Sequence, residues 1–178
     1  MGWHRHDDSL RISHQRRSNR LRGYDYTRPG AYFVTIRVTP GGLAMSSIVD
    51  RRTWLTDIGV LVRDCWRAIP DHFPHVNLDA FVVMPDHVHG IIVLTKADSN
   101  AAAGGRIAPG SLGAIVRSFK SAATARINRL SDTPGRRVGQ RNYFERIVRD
   151  PAALHRTRWY IITNPMRWNR MDGRAGNV

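Results

Sequence analysis

The segment from Ala80 to Leu94, AFVVMPDHVHGIIVL, constrains the fold more than any other part of the chain. Two apolar, β-branched runs flank the turn-forming Met84-Pro85-Asp86, which predicts a hairpin whose second strand begins at His87. Side chains alternate along a strand, so His87, His89, Ile91 and Val93 share one face while Val88, Gly90, Ile92 and Leu94 take the other. Two imidazoles held side by side form a preoriented bidentate platform for a divalent cation, with positions left open for water or substrate. A histidine capping the sheet edge beside a solvated one fits the same spacing, so the pair alone leaves both readings open.

A second pattern lies near the C-terminus. Asp150-Pro151 supplies an N-cap carboxylate and a proline at the first helical position, and Asn164-Pro165 is expected to close the helix that follows. Within it Tyr160 and Asn164 are four apart and sit one above the other on one face. Tyrosine offers a nucleophilic oxygen, and asparagine offers a neutral carbonyl able to ligate a hard cation. Taken alone, the tyrosine also suits a core boundary and the asparagine a helix end.

The HVH strand followed by a helix bearing Tyr-x-x-x-Asn-Pro resembles the HUH single-strand DNA transposases with one catalytic tyrosine, specifically the REP-associated tyrosine transposase group. The segments RLRGYDYTRPGAYFVTI, NLDAFVVMPDHVHGIIVL, SLGAIVRSFKSAATARIN and QRNYFERIVRD resemble the same group, so the likeness runs from about Asn19 to Trp168. Gly139 departs from it, since members usually carry tryptophan there. The resemblance implies a Mg²⁺ or Mn²⁺ ion held by His87, His89 and Asn164, with Tyr160 attacking the scissile phosphate to give a 5′-phosphotyrosine link. It also implies that the basic segment before the first strand reads a short single-stranded guide at the foot of a DNA hairpin. Arg20, Arg22, Tyr24 and Tyr26 are therefore expected DNA contacts, with base stacking open to the tyrosines. Arg156, one turn before Tyr160, is an expected phosphate contact.

Charge agrees with such a partner. The net charge is +14, and Lys96 and Lys120 are the only lysines among 28 basic residues. Planar guanidinium groups suit phosphate oxygens and stack on bases, although arginine-rich codon usage would give the same bias. The single cysteine, Cys65, excludes an intrachain disulfide and falls on a buried helical pattern. No apolar N-terminal core marks a signal peptide and no stretch approaches a membrane span, so a cytoplasmic, nucleoid-associated protein is expected, monomeric or homodimeric.

Organisation follows from periodicity. Residues 1–20 read as a flexible basic arm, 21–170 as one catalytic domain and 171–178 as a tail. Ala31–Thr39 predicts a strand. Ile58, Leu61, Val62, Cys65, Trp66 and Ile69 recur at helical spacing until Pro70. Ser111 caps a second helix whose other faces carry Arg117 and Lys120, candidates for backbone contact. Tyr143–Val148 predicts a closing strand. The expected fold is α+β, an antiparallel sheet of four to five strands with packed helices, and the element order is compatible with the ferredoxin-like arrangement that the resemblance implies. Two rival functions share these features: a catalytically inactive hairpin-DNA-binding regulator, and a metal-dependent phosphodiesterase that uses activated water.

Overall fold

The computed structural model describes residues 21, 23–39, 43–95 and 108–168. Its elements in chain order are β1 (Gly30–Arg37), β2 (Ser46–Val49), β3 (Arg52–Leu55), α1 (Asp57–Arg67), α2 (Ile69–His72), β4 (Val76–Val83), β5 (His87–Leu94), α3 (Leu112–Leu130), β6 (Phe144–Val148) and α4 (Pro151–Arg167). The main sheet has four strands in the order β4-β5-β1-β6, all antiparallel. Leaving aside β2, β3 and the single turn of α2, the path β1-α1-β4-β5-α3-β6 with this strand order is the ferredoxin-like arrangement. The fold class expected from the sequence is therefore the fold observed.

Alternation decides what each face of the sheet receives. Tyr32, Val34 and Ile36 of β1 and Val88, Ile92 and Leu94 of β5 join one large core with Val62, Cys65 and Trp66 of α1 and Ile115, Phe119 and Ile127 of α3. Phe33 and Ile91 point to the opposite face and meet Val148 and Ile161, so α4 covers that face with a smaller apolar cluster. Each of the three long helices opens with a side-chain cap, Thr56 to Gly59, Ser111 to Ala114 and Asp150 to Ala153, satisfying one of the amide donors that a helix start leaves unpaired.

The structure departs from the sequence reading in three local respects. α4 does not close at Asn164-Pro165 but runs to Arg167, with Pro165 inside it; a proline in the last turn removes one backbone bond near an end that is already losing them. Pro70 does not merely end the first helix but occupies the opening of the four-residue α2, where its fixed φ is suited to a helix start. Finally, β2 and β3 form a separate two-stranded hairpin that carries no conventional turn signal. Its turn residues, Asp50 and Arg51, adopt φ of 50° and 61°, the conformation that Asn-Gly usually supplies in such turns. The expected arm (1–20) and tail (171–178) lie outside the described residues.

Candidate active site

The two histidines occupy the start of β5, where β1 fixes their neighbours. Thr35 pairs with His89 and Arg37 with His87 across the β1–β5 ladder, and directly opposed side chains share a face. The Nε2 atoms of His87 and His89 approach to 3.0 Å. Each ring is oriented from behind: His87 Nδ1 lies 2.5 Å from Asp86 Oδ1, and His89 Nδ1 lies 2.8 Å from Thr35 Oγ1. Phe33 stacks on His89 with centroids 5.3 Å apart and planes 29° from parallel. Both imidazoles are buried, at 7% and 5% exposure, so their orientation is held by packing as well as by hydrogen bonds.

α4 brings Tyr160 to this pair from the same chain. Its hydroxyl is 3.4 Å from His89 Nε2, and its ring meets Phe33 edge-on, centroids 5.9 Å apart at 80°. With 38% of its surface exposed, the phenol is open to a substrate. Trp168, just past α4, places its ring 6.0 Å from that of His87. Asn164 lies one turn beyond Tyr160 and is half-buried; among the described residues its side chain makes no hydrogen bond to either histidine.

Electrostatics act on both ends of this hydrogen-bonded row. Burial, reinforced by the neighbouring His87 and Arg37, pushes the His89 imidazole down to about 3, so it is neutral near pH 7. The hydrogen bond from His87, with help from its charge and that of Arg37, holds the Asp86 carboxyl below the usual range against the opposing effect of burial. An imidazole whose outer nitrogen is bound to a carboxylate or hydroxyl, with its inner nitrogen facing a partner, is the usual arrangement of a metal-ligating histidine. The 3.0 Å Nε2 separation also suits two adjacent ligands on one ion at about 2.1 Å each. Among the described residues no cluster of three or more His, Cys, Asp or Glu side chains is placed to hold a metal. Two imidazoles with open positions around them suit a site completed by water or substrate oxygens rather than a closed, four-ligand structural zinc.

The other expected contacts separate into two groups. Arg20 and Arg22 lie outside the described residues. Tyr24 and Tyr26 pack on one another and on Tyr32, at centroid distances of 5.0, 6.4 and 5.9 Å, so their rings form an aromatic cluster at the start of the domain. Tyr26 nevertheless borders a cleft of about 420 Å³ together with Arg156, Arg146 and Arg149. Arg117 is exposed on α3, on the far side of the sheet from the histidines. Lys120, on the same helix, donates to the carbonyl oxygens of Gln140 and Arg141. Its ammonium ties down a loop, and burial, with Arg137 nearby, lowers its basicity.

Several site residues are absent from the sequence reading. Asp86 reads there only as a turn residue, although a carboxylate directly before His-x-His is a usable signal for an orienting partner. Thr35 and Phe33 become site residues only through strand register. Arg146 pairs opposite Phe33 on β6, lies 5.7 Å over its ring and donates to Thr157 Oγ1 at 3.2 Å; a lone arginine in a strand gives no hint of this.

No protein-family model matches the chain. An uncharacterized protein of Haemophilus influenzae is 36% identical over 167 residues, covering 88% of this chain and 92% of that protein. A second Haemophilus influenzae protein, provisionally named a REP-associated tyrosine transposase, is 28% identical over 144 residues, 80% of this chain and 74% of its own length. Among solved structures, a REP-associated tyrosine transposase bound to a REP hairpin superimposes with a TM-score of 0.60 over 81% of this chain and 71% of that one, at 19% identity. That last likeness concerns the fold.

Proposed function

We propose that the chain is a REP-associated tyrosine transposase, a reading supported by its similarity to the named relative and by the shared fold, and that it nicks and rejoins hairpin-forming single-stranded repeat DNA through a covalent 5′-phosphotyrosine intermediate. The observation that carries this reading is the convergence of Tyr160 with the His87–His89 pair, its hydroxyl 3.4 Å from His89 Nε2. Position alone suits few other roles for a tyrosine that is more than one-third exposed beside two buried imidazoles.

His87, His89 and Asn164 would hold a Mg²⁺ or Mn²⁺ ion, which when bound supplies positive charge to the non-bridging oxygens of the scissile phosphate. The protein's own residues do the rest. Asp86 and Thr35 keep both imidazoles turned inward, and Phe33 stacks on His89 and packs against Tyr160. Tyr160 Oη bonds to phosphorus as the bond from phosphorus to the 3′ oxygen breaks; the phenol loses its proton and the departing 3′ oxygen gains one. Attack by that 3′-hydroxyl on the phosphotyrosine reverses the step and joins strands. Arg156, Arg146 and Arg149 line a cleft at the start of α4 and offer guanidinium forks to the DNA backbone.

The test is a denaturing gel with labelled single-stranded hairpin DNA, the protein and its Tyr160→Phe variant, in Mn²⁺ or EDTA. A protein-sized labelled adduct that needs both the metal and Tyr160 is expected. Hairpin binding without an adduct would assign the chain to the regulators, and metal-dependent cleavage that survives Tyr160→Phe would make water the nucleophile.

A further inference from the structure

The tyrosine helix is gripped a second time, on the flank away from the histidines. Strand β4 changes register between Leu78 and Phe81. Leu78 and Phe81 both belong to the large core, whereas Ala80 packs on the α4 side, the two-residue step of a β-bulge. Asp79 sits in this step and reaches α4. Its Oδ1 accepts from Arg158 Nε at 2.9 Å and its Oδ2 from Arg158 Nη2 at 2.6 Å, a bidentate fork. Asp79 Oδ1 also accepts from the Ala80 amide at 2.6 Å, so the carboxylate is fixed by its own backbone before the arginine arrives.

Helical geometry gives this contact its leverage. Residues advance by about 100° each around an α-helix. Relative to the buried row of Leu154, Thr157 and Ile161, Arg158 falls on one flank and Tyr160 on the other. The row is narrow: Ile161 is at 0% exposure, Leu154 is half-buried, and the buried Thr157 accepts from Arg146 of β6 at 3.2 Å. It sets the height of the helix above the sheet and ties the helix on the β6 side by that one hydrogen bond, which leaves its roll to be fixed from the β4 side. A roll of about 10–20° on a helix whose side chains extend about 5–6 Å from its axis moves a side-chain tip by roughly 1–2 Å, and misplacement of about 1 Å can cost two orders of magnitude in rate.

We propose that Asp79 is a positioning residue for the reaction: its fork to Arg158 sets the roll of α4 and thereby holds Tyr160 against His89 and Phe33. The inference rests on the tyrosine chemistry proposed above. Arg158 is 47% exposed and Asp79 18%, and exposed ion pairs add little to global stability. The effect therefore belongs in the rate of the tyrosine step, not in folding.

The experiment measures single-turnover adduct formation at saturating hairpin DNA, DNA affinity and the melting temperature for the wild type, Asp79→Asn, Arg158→Gln and the double variant. Each single change is expected to slow adduct formation about tenfold, with affinity altered less than about twofold. The double variant should be no slower than either single one, because both remove the same contact, and Asp79→Glu should recover part of the rate. Unchanged rates in the single variants would overturn the proposal. So would weaker DNA binding in Arg158→Gln with tighter binding in Asp79→Asn, the pattern of a phosphate contact that Asp79 merely competes for. If the wild type forms no adduct, the tyrosine reading fails separately, and amide exchange across residues 158–164 decides whether the Asp79–Arg158 fork holds α4: faster exchange in both single variants supports it, and unchanged exchange refutes it.

Discussion

The two faces of the sheet are made by the same strands and are chemically opposite. On the face of α1 and α3, successive inward residues of β1 and β5 are apolar and nearly all buried. On the face of α4, the same strands present Phe33, Thr35, His87 and His89, and the apolar cluster shrinks to a patch around Ile161. The contrast is produced by period-two alternation alone. A dry face supplies the stability that lets the other face hold two buried imidazoles, which would not by themselves specify a fold. Gly90 marks how tight the dry side is: a Cβ there would lie 2.3 Å from Trp66 Cζ2.

The sharpest way to break this division is to damage the dry face. Trp66→Ala removes an indole that stacks on Phe81 at 4.5 Å and is 2% exposed; it should cost about 3–5 kcal/mol, measured by denaturant unfolding. Activity per folded molecule should remain. Changing pH probes the other face. His89, lowered from 6.5 to about 3, stays neutral when folded while the unfolded chain takes up a proton below pH 6.5. Stability of the metal-free protein should therefore fall as pH drops from about 6.5 towards 3, and His89→Gln should flatten that slope in a series of melting curves.

A smaller effect is expected from Asp86→Asn, which leaves the turn intact but removes the charge behind His87. Orienting partners of metal ligands typically contribute about 10–100-fold, so metal affinity and adduct rate should both drop within that range, with little change in melting temperature. The smallest test sharpens the comparison from the dry side. Gly139 borders an apolar gap of about 40 Å³ lined in part by Ile36, Phe119, Ala123 and Val138, and a Cβ there would meet Lys120 Cε at an ordinary 3.4 Å. Gly139→Ala should stabilise by about 0.5 kcal/mol without altering the reaction.

These contrasts also explain what could be read from the residues alone. The β4–β5 hairpin, its face assignment and the caps at Ser111 and Asp150 were legible because they depend on local pattern and turn chemistry. The element order was compatible with the ferredoxin-like path, which the family resemblance implied. The β2–β3 hairpin was not, because Asp50-Arg51 is an uncommon pair for a turn with two positive φ angles and its strands are only four residues each. Thr35, Phe33 and Arg146 enter the site through register across β1, which a single strand's sequence does not encode. Asp79 meets Arg158 only because β4 steps out of register, and nothing in NLDAFVV announces that bulge. The arrival of α4 at its own chain's histidines is likewise a property of packing, whereas the spacing of Tyr160 and Asn164 is a property of the helix.

The most direct measurement of the central claim is mass spectrometry of the protein after reaction with a short hairpin oligonucleotide and Mn²⁺, followed by nuclease and protease digestion. A nucleotide phosphate carried on the α4 peptide at Tyr160, and lost when EDTA is present, is the expected result. A phosphate found instead on Tyr143, or cleaved DNA with no modified peptide, would contradict it.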